Sequence, residues 1–580
     1  MVVHQFSWLD YFLFILMLLL SALVGVYYGI IKKQKTAADY LLGNKQMGIL
    51  PISMSLVSSS LSGLAVLGVP ADIYRYGVTY MLALLIFPLV ILVGATIYIP
   101  VFYNLQITST YEYLSLRFDK KNRIFASVLF TIQLLLFLPI VIYIPALALA
   151  QATGFNTHLI TPIVCSVCIF YTTLGGLKAV VWTDALQFVV MVGSLLVVLV
   201  IGINSVGGFG VIFEKNYAGR RLDITFDLNP LTRDTFWTGT LANFFMFVNH
   251  FDINQSFVQK CLALPSFRAV KIALGLAIVG IMTIMASSMF TGLVMFAKYY
   301  KCDPLQRGSI TNHDQLVPIF VMEEANFIPG LAGLFISGIF SAALSTLSAA
   351  LNCLAATVYE DFISPFVSKS TSQERVSLYL KLLVVGIGVF STLCVYIVEK
   401  LGSLLTLTVS FVGVTAGPLL GLFSVGMLIP MVNEKGALSG GVTSLVIMFW
   451  IVMKTQWYNF NKIITYPILP VSTDGCNSTI TSNINATIME SAKILSNTTV
   501  VTAATEVPHP IYRVSIFWYT LIGLLIVFFV SILVSMFTKS NKPLKKDCIA
   551  PLVRRFLKIE EDGPPEYDTI DNALKLVNKR

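Results

Sequence analysis

The sequence predicts an all-α protein that crosses a lipid bilayer many times. Of its 580 residues 56% are hydrophobic and only 12% are charged, about half the charge of an ordinary soluble domain. Mean hydropathy is +0.80, and apolar runs long enough to span a bilayer recur along the whole length. Those runs are continuous, unlike the short alternating segments of a transmembrane barrel. The net charge of +9 does not point to nucleic acid, because Lys and Arg fall mainly in short loops and the tail, where they set orientation.

Hydropathy places about thirteen spanning segments, near 9–31, 51–71, 78–103, 123–152, 158–176, 181–204, 236–258, 271–298, 328–358, 376–398, 403–431, 436–455 and 512–537. The first, 9–31, has no basic residue before it and no clear cleavage site, so it reads as a retained peripheral helix rather than a signal peptide. Segment 51–71 holds Ser53, Ser55, Ser58, Ser59, Ser60, Ser62 and Gly63. That composition suits either a kinked packing helix or a helix unwound at mid-membrane whose freed carbonyls line a cavity. A second candidate break lies in 236–258. In 328–358, the stretch from Phe340 to Asn352 carries Ser341, Ser345, Thr346 and Ser348. Ser341, Ser345 and Ser348 share one small, polar helix face. Such a face serves close helix packing or offers oxygens to a desolvated cation.

Orientation follows from the charges. Lys32, Lys33 and Lys35 after the first segment place that end in the cytoplasm and residues 1–8 outside. Alternation then puts Arg117, Lys120, Lys121, Arg123, Lys178, Lys260, Arg268 and Lys271 inside, together with the tail 538–580. The external loop near 205–235, with Lys215, Arg220, Arg221 and Arg233, is a mild exception. The insert 457–511 falls outside and bears three glycosylation sequons, at Asn477, Asn485 and Asn497, which require that side. Cys302 and Cys476 lie in external loops, which allows a disulfide between them. Cys165, Cys168, Cys353 and Cys394 sit in apolar runs without metal-ligand spacing.

Several stretches resemble the sodium/solute symporter family. They are Leu67-Gly-Val-Pro-Ala-Asp-Ile-Tyr-Arg-Tyr-Gly77, Tyr143-Ile-Pro-Ala-Leu-Ala-Leu149, Thr172-Thr-Leu-Gly-Gly-Leu-Lys-Ala-Val-Val-Trp-Thr-Asp-Ala-Leu-Gln187, Asn254-Gln-Ser-Phe-Val-Gln259 and Gly417-Pro-Leu-Leu-Gly421. The resemblance covers about 7–455 plus the last helix, and is nearest to the monocarboxylate, multivitamin and iodide branch. It implies a LeuT-type core of two five-helix inverted repeats, the first at 51–258 and the second extending to 455, with the broken helix 236–258 beginning it. It also implies a sodium site made by the hydroxyls of Ser345 and Thr346 and the carbonyls of Ala342, Ser58 and Leu61. Neutral oxygens of this kind suit a hard cation that must be released.

By the same resemblance Asp184 lies on the sodium exit route. As a residue at the start of a segment it also reads as a helix N-cap near the cytoplasmic face. The resemblance places Ser60, Ser62, Ala65, Phe87 and Trp237 around the solute. Iodide carriers of the family have glutamines where this chain has Ala65 and Phe87, so the departure favours a larger or more apolar solute, such as an organic carboxylate. His250 and Asp252 are a second departure. At membrane depth they would bind a cation or make transport pH-sensitive, and near the cytoplasmic end they would be merely interfacial.

The tail carries Lys545, Lys546, Arg554 and Arg555, suited to anionic lipid. Its Pro564, Pro565 and Tyr567 form a PPxY motif of the kind that WW-domain ubiquitin ligases bind. No nucleophile–base set, phosphate loop or metal cluster points to an enzyme. The expectation is therefore a plasma-membrane, Na⁺-driven importer of a small organic anion, with multivitamin or iodide transport, or a non-transporting solute sensor, as alternatives.

Overall fold

A computed structural model describes residues 6–32, 40, 43–107, 109–325, 328–368, 370–398, 404–476, 508–539 and 544–555. Asn477, Asn485, Asn497, Pro564, Pro565 and Tyr567 lie outside these residues. The principal helices are α1 (Trp8–Val26), α2 (Ile49–Ser60), α3 (Gly63–Tyr76), α4 (Ala83–Val93), α5 (Lys120–Thr153) and α6 (Thr157–Val206). They continue with α7 (Asn243–Val248), α8 (Gln255–Leu262), α9 (Phe267–Lys298) and α10 (Leu331–Val358). Then come α11 (Gln373–Val398), α12 (Leu404–Leu428), α13 (Glu434–Phe460) and α14 (Tyr519–Phe537). Among the described residues there is no β-strand.

Side-chain caps start many of these helices, as the local sequence dictates. Ser7 and Asp10 form a reciprocal capping box on α1, Asp119 caps α5, Ser266 caps α9 and Asn433 caps α13. Ten described helices are long and apolar enough to cross a bilayer, and α2 with α3 makes an eleventh candidate bent by 53°. At 50 residues, α6 would run to about 75 Å, far beyond a hydrocarbon core of about 30 Å. Gly176, at φ 52° and ψ −154°, breaks it, which separates the 158–176 and 181–204 segments expected from hydropathy.

Segment 236–258 is not one helix. A π-helical turn at Thr238–Ala242 leads into α7, a second at Asn249–Ile253 follows, and Asn254 is extended (φ −63°, ψ 126°) before α8. The second candidate break therefore falls at Asn254, whose side chain caps α8 through the Ser256 amide.

Nearly all of α10 is buried. It packs against α1, α2, α5, α6 and α11. Its small residues permit this: Gly333 donates its amide to Asp10 Oδ1 at 2.7 Å, and a Cβ there would lie 2.3 Å from the Asp10 Cα. A second bundle joins α12, α13 and α14. In it a Cβ on Gly417 would meet the Gly523 Cα at 2.7 Å, the close backbone approach that membrane helices use when lipid offers no hydrophobic drive.

The two ends differ in chemistry. At one, Arg233 bridges Asp72 and Asp234, each at 2.6 Å, and a disulfide joins Cys302 to Cys476. At the other, Arg117 donates to the carbonyls of Gly426, Ile429, Pro430 and Val432, which satisfies the C-terminal end of α12. There too Arg123 and Ser127 both bind Asp361. The tail segment 544–555 docks on this face, with Tyr113 donating to the Cys548 carbonyl at 2.9 Å and Ala550 to the Met427 carbonyl at 3.0 Å.

The Gly417 contact yields a prediction. Gly417→Val must force its branch into the Gly523 backbone, costing about 1–3 kcal/mol of overpacking, and should lower the detergent melting temperature by several degrees. Gly386→Val adds its side chain where nothing lies within 4 Å and should leave melting unchanged. Equal behaviour of the two variants would refute the packing account.

Candidate functional site

The candidate site begins with the way α2 ends. Ser53, Ser59 and Ser60 donate their hydroxyls back to the carbonyls of Ile49, Ser55 and Leu56, at 2.7, 2.6 and 2.6 Å. This back-bonding competes with the helical ladder and bends helices. Leu61 is then extended (φ −114°, ψ 100°), and Ser62 caps the new helix α3 by accepting from the Leu64 amide.

A helix end leaves four carbonyls without intrahelical donors, and in a bilayer water is not there to meet them. The Leu61 amide serves Val57. The remaining three are met from other elements. Ser345 Oγ donates to the Ser58 carbonyl at 2.7 Å, Thr346 Oγ1 to Ser59 at 3.2 Å, and His250 Nε2 to Ser60 at 3.0 Å. Because a carbonyl only accepts, His250 carries its proton on Nε2 in this contact.

Ser345 and Thr346 also donate to the Ala342 carbonyl, at 3.1 and 3.0 Å. Four of the five expected sodium ligands, Ser58, Ala342, Ser345 and Thr346, are thus hydrogen-bonded to one another, and the fifth, Leu61, is the residue at the break. The Ser58 hydroxyl is buried without a partner.

Asp184 is not an interfacial N-cap. The helical segment that holds it starts at the Gly176 kink, two turns earlier, and the carboxylate is fully buried. It accepts from Lys260 Nζ at 2.8 Å and Ser55 Oγ at 2.6 Å, with a long contact to Ser348 Oγ at 3.5 Å. Lys260, expected among the cytoplasmic loop cations, is 1% exposed. It also donates to the Ser59 hydroxyl at 2.6 Å and the Ser55 carbonyl at 3.1 Å. One signal could have found it, since a carboxylate within an apolar run requires a counter-charge.

A cavity with about 420 Å³ of unfilled space, part of it open to solvent, adjoins this position. Its polar lining is Ser59, Ser60, His250, Asn254, Ser256 and Thr346. Of the five residues expected around the solute, Ser60 lines it. Ser62 is engaged as a cap, and Ala65 is buried within α3. Phe87 is fully buried against Phe247 and Phe251, with ring centroids at 4.7 and 6.1 Å. Trp237 sits edge-on to Phe236, and its indole nitrogen is buried without a partner. The sequence had not singled out Ser256 or the side chain of Asn254 as lining residues.

The Asp184–Lys260 pair can be tested by a double-mutant cycle. Breaking a buried pair from one side costs about 3–5 kcal/mol, while removing both charges is far milder. Asp184→Asn and Lys260→Met should each lower the thermal stability of the purified protein sharply, and the double variant should recover much of the loss. Additive losses would show that the two side chains do not form a pair.

Comparisons with known proteins agree with this architecture. The model of the Sodium:solute symporter family matches residues 40–444. Sodium-coupled monocarboxylate transporter 2 of Mus musculus is 38% identical over 562 residues, which is 95% of this chain and 87% of that protein. A putative sodium-dependent multivitamin transporter of Drosophila melanogaster is 36% identical over 526 residues, 90% and 85% of the two chains. Among solved structures, a substrate-bound, outward-open Na⁺-coupled sialic acid symporter superposes with a TM-score of 0.72 at 24% identity, over 93% of this chain and 100% of that one. The likeness extends to the LeuT-type fold. With a family model matching most of its length and relatives well above 30% identity, the chain belongs to the sodium:solute symporter family and is a Na⁺-coupled solute symporter.

Proposed function

We propose that this symporter imports a small organic anion of the monocarboxylate type, with sodium bound by Ser58, Leu61, Ala342, Ser345 and Thr346 beside the cavity. The observation that carries the reading is the set of carbonyls released by the break in α2 and met by hydroxyls of α10. A cation entering there takes carbonyl oxygens directly, and the hydroxyls rotate to offer it their lone pairs. No formal negative charge is required, so the ion is held weakly enough to leave.

The cavity is lined by neutral polar groups, Ser59, Ser60, Asn254, Ser256 and His250, which a carboxylate would engage by exchanging the hydrogen bonds that Ser59, Ser60 and His250 now make within the protein. Identities of 36–38% to relatives named for monocarboxylates and for multivitamins support the same class. Asp184 is assigned to the sodium exit route through its link to Ser55 and Ser348.

The proposed setting is the plasma membrane, with thirteen spans, the N-terminus outside and the tail inside. The disulfide at Cys476, next to the sequon-bearing stretch, supports an oxidising exterior on that side. The docked tail shares the opposite face with Arg117 and Arg123, which supports the cytoplasm there. That orientation would place the PPxY motif within reach of a WW-domain ligase. At an inside-negative potential each sodium ion contributes about 2.3 kcal/mol per 100 mV to uptake.

The test is uptake of labelled lactate, pyruvate, butyrate, biotin, pantothenate and iodide, with sodium or choline outside. Saturable monocarboxylate uptake that vanishes in choline is expected. Losing one hydroxyl ligand to an ion costs about 1.5–3 kcal/mol, so Ser345→Ala should raise the half-saturating sodium concentration by about tenfold or more. Ser345→Ala/Thr346→Ala should abolish uptake. Unchanged sodium dependence in the double variant would refute the ligand assignment, and uptake confined to biotin or pantothenate would refute the monocarboxylate.

A further inference from the structure

His250 and Asp252 lie on one π-helical turn, Asn249–Ile253, but the fold gives them different surroundings. His250 reaches the end of α2 and lines the cavity. Asp252 turns the other way, is 0% exposed, and has neither carboxyl oxygen hydrogen-bonded.

The space it fills is shaped for it. A Cβ on Gly94 would lie 2.1 Å from Asp252 Oδ1 and 2.6 Å from its Cγ, so the carboxyl fits only because residue 94 is glycine. Gly94 opens another π-helical turn, Gly94–Tyr98, and the two turns pack together.

The elements packed against the Asp252 turn are α4, the Gly94–Tyr98 turn, α7, α8 and α12. Their titratable groups are Tyr98, Lys260 and Cys261, since α4, α7 and α12 carry none. The Tyr98 hydroxyl pairs with Ser424 at 2.7 Å, and Lys260 is committed to Asp184, Ser59 and Ser55. On the turn itself His250 is committed to Ser60. Cys261 is a buried free thiol. Among the described residues no cation balances Asp252.

An isolated carboxylate in such a place is prohibitively costly, whereas a carboxylic acid is not. A metal ion in its stead would need several oxygens at once. Among the described residues no group of three or more His, Cys, Asp or Glu side chains could hold one.

Asp252 also sits beside the helix break, between two residues that line the cavity. Asn254, two residues on, is the break itself and lines the cavity, as does His250. Movement at this break would be the route by which water reaches the carboxyl, since Asp252 does not line the cavity in this conformation.

We propose that the Asp252 carboxyl is a proton-binding site of the transport cycle, so that this symporter carries a proton in addition to sodium and its solute. The step is a simple protonation. A carboxylate opened to one aqueous side takes up a proton, carries it as the neutral acid through the closed state, and loses it to water on the other side. The inference rests on the symport reading above, and its test separates the two.

Purified protein in liposomes containing a pH-sensitive dye would be given an inward sodium gradient with pyruvate, with the membrane potential clamped. The expected result is internal acidification that requires sodium and pyruvate together, and uptake that rises severalfold as external pH falls through neutrality. Asp252→Asn, a close mimic of the neutral acid, should lose both the acidification and the pH dependence. Sodium-dependent pyruvate uptake without acidification by the unmodified protein would overturn the proposal, even if the variant does not fold. Weakened sodium affinity in Asp252→Asn with no proton movement would overturn it in favour of a sodium ligand. If pyruvate is not carried, the assigned cargo fails and infrared difference spectroscopy decides on its own. A carboxylic-acid band that Asp252→Asn removes and sodium shifts would support the proton site, and a band that is absent or unmoved by sodium would overturn it.

Discussion

Everything around the candidate site depends on a helix that ends inside the protein, beside the cavity. Once α2 stops at Ser60, three carbonyls must find donors from outside the helix. They find them on α10, through Ser345 and Thr346, and on the π-helical turn before Asn254, through His250. Lys260 of α8 adds a third tether, to the Ser55 carbonyl and the Ser59 hydroxyl. The two broken segments and the buried hydroxyl helix are therefore joined through one set of acceptors. An ion or solute that competes for those acceptors must loosen a tether, which gives ligand binding direct purchase on helix position. Coupling of this kind needs a discrete exchange of partners rather than gradual deformation.

Among the described residues, buried carboxylates are met either by a cation or by hydrogen-bond donors, as Asp10 is by Ser7 and Gly333, with one departure. Asp184 faces Lys260, Asp72 faces Arg233 and Asp361 faces Arg123. Each pair joins elements distant in sequence, and each adds little net charge to its surroundings. The residues assigned to sodium and the cavity lining carry hydroxyls, carbonyls, one amide and one imidazole instead. Asp252 breaks the pattern, since it is buried as completely as Asp184 yet has no hydrogen-bond partner among the described residues. The contrast between those two aspartates is that Asp184 is held by Lys260 and Ser55, whereas neither oxygen of Asp252 is hydrogen-bonded.

What the sequence revealed depended on whether the signal was compositional or geometric. The spanning segments, the serine-rich break and the hydroxyl face of α10 were legible because residue type and helical period report them directly. Lys260 was misread because charge counting along the chain assumes that a lysine past the end of an apolar segment lies in a loop. The break at Asn254 instead carries α8 back into the protein. Asp184 was misread as an N-cap because Gly176 moves the start of its helical segment two turns earlier. Phe87 and Trp237 were placed around the solute by family resemblance alone, and in the structure neither lines the cavity; π-helical turns follow both, at Gly94–Tyr98 and Thr238–Ala242. Each such turn inserts a residue and rotates the helix face beyond it, so a position matched by resemblance need not share the facing that a regular helix would give it.

The position of Lys260 bears on how such a site could release its ion. Ser59 accepts the lysine ammonium on its hydroxyl and Thr346 on its carbonyl, so a permanent cation lies one residue from the oxygens assigned to sodium. Two unit charges about 5 Å apart at an effective dielectric of about 20 repel by about 3 kcal/mol. Asp184, 2.8 Å from the ammonium, offsets most of that field. If sodium binds where proposed, neither partner alone would serve. A bare lysine would exclude the ion, and a bare carboxylate would hold it too firmly to let it go. Held together they leave a nearly neutral surrounding in which carbonyl and hydroxyl dipoles set the affinity. On that reading the pair would act to keep sodium binding weak enough to be reversible on each turn of the cycle.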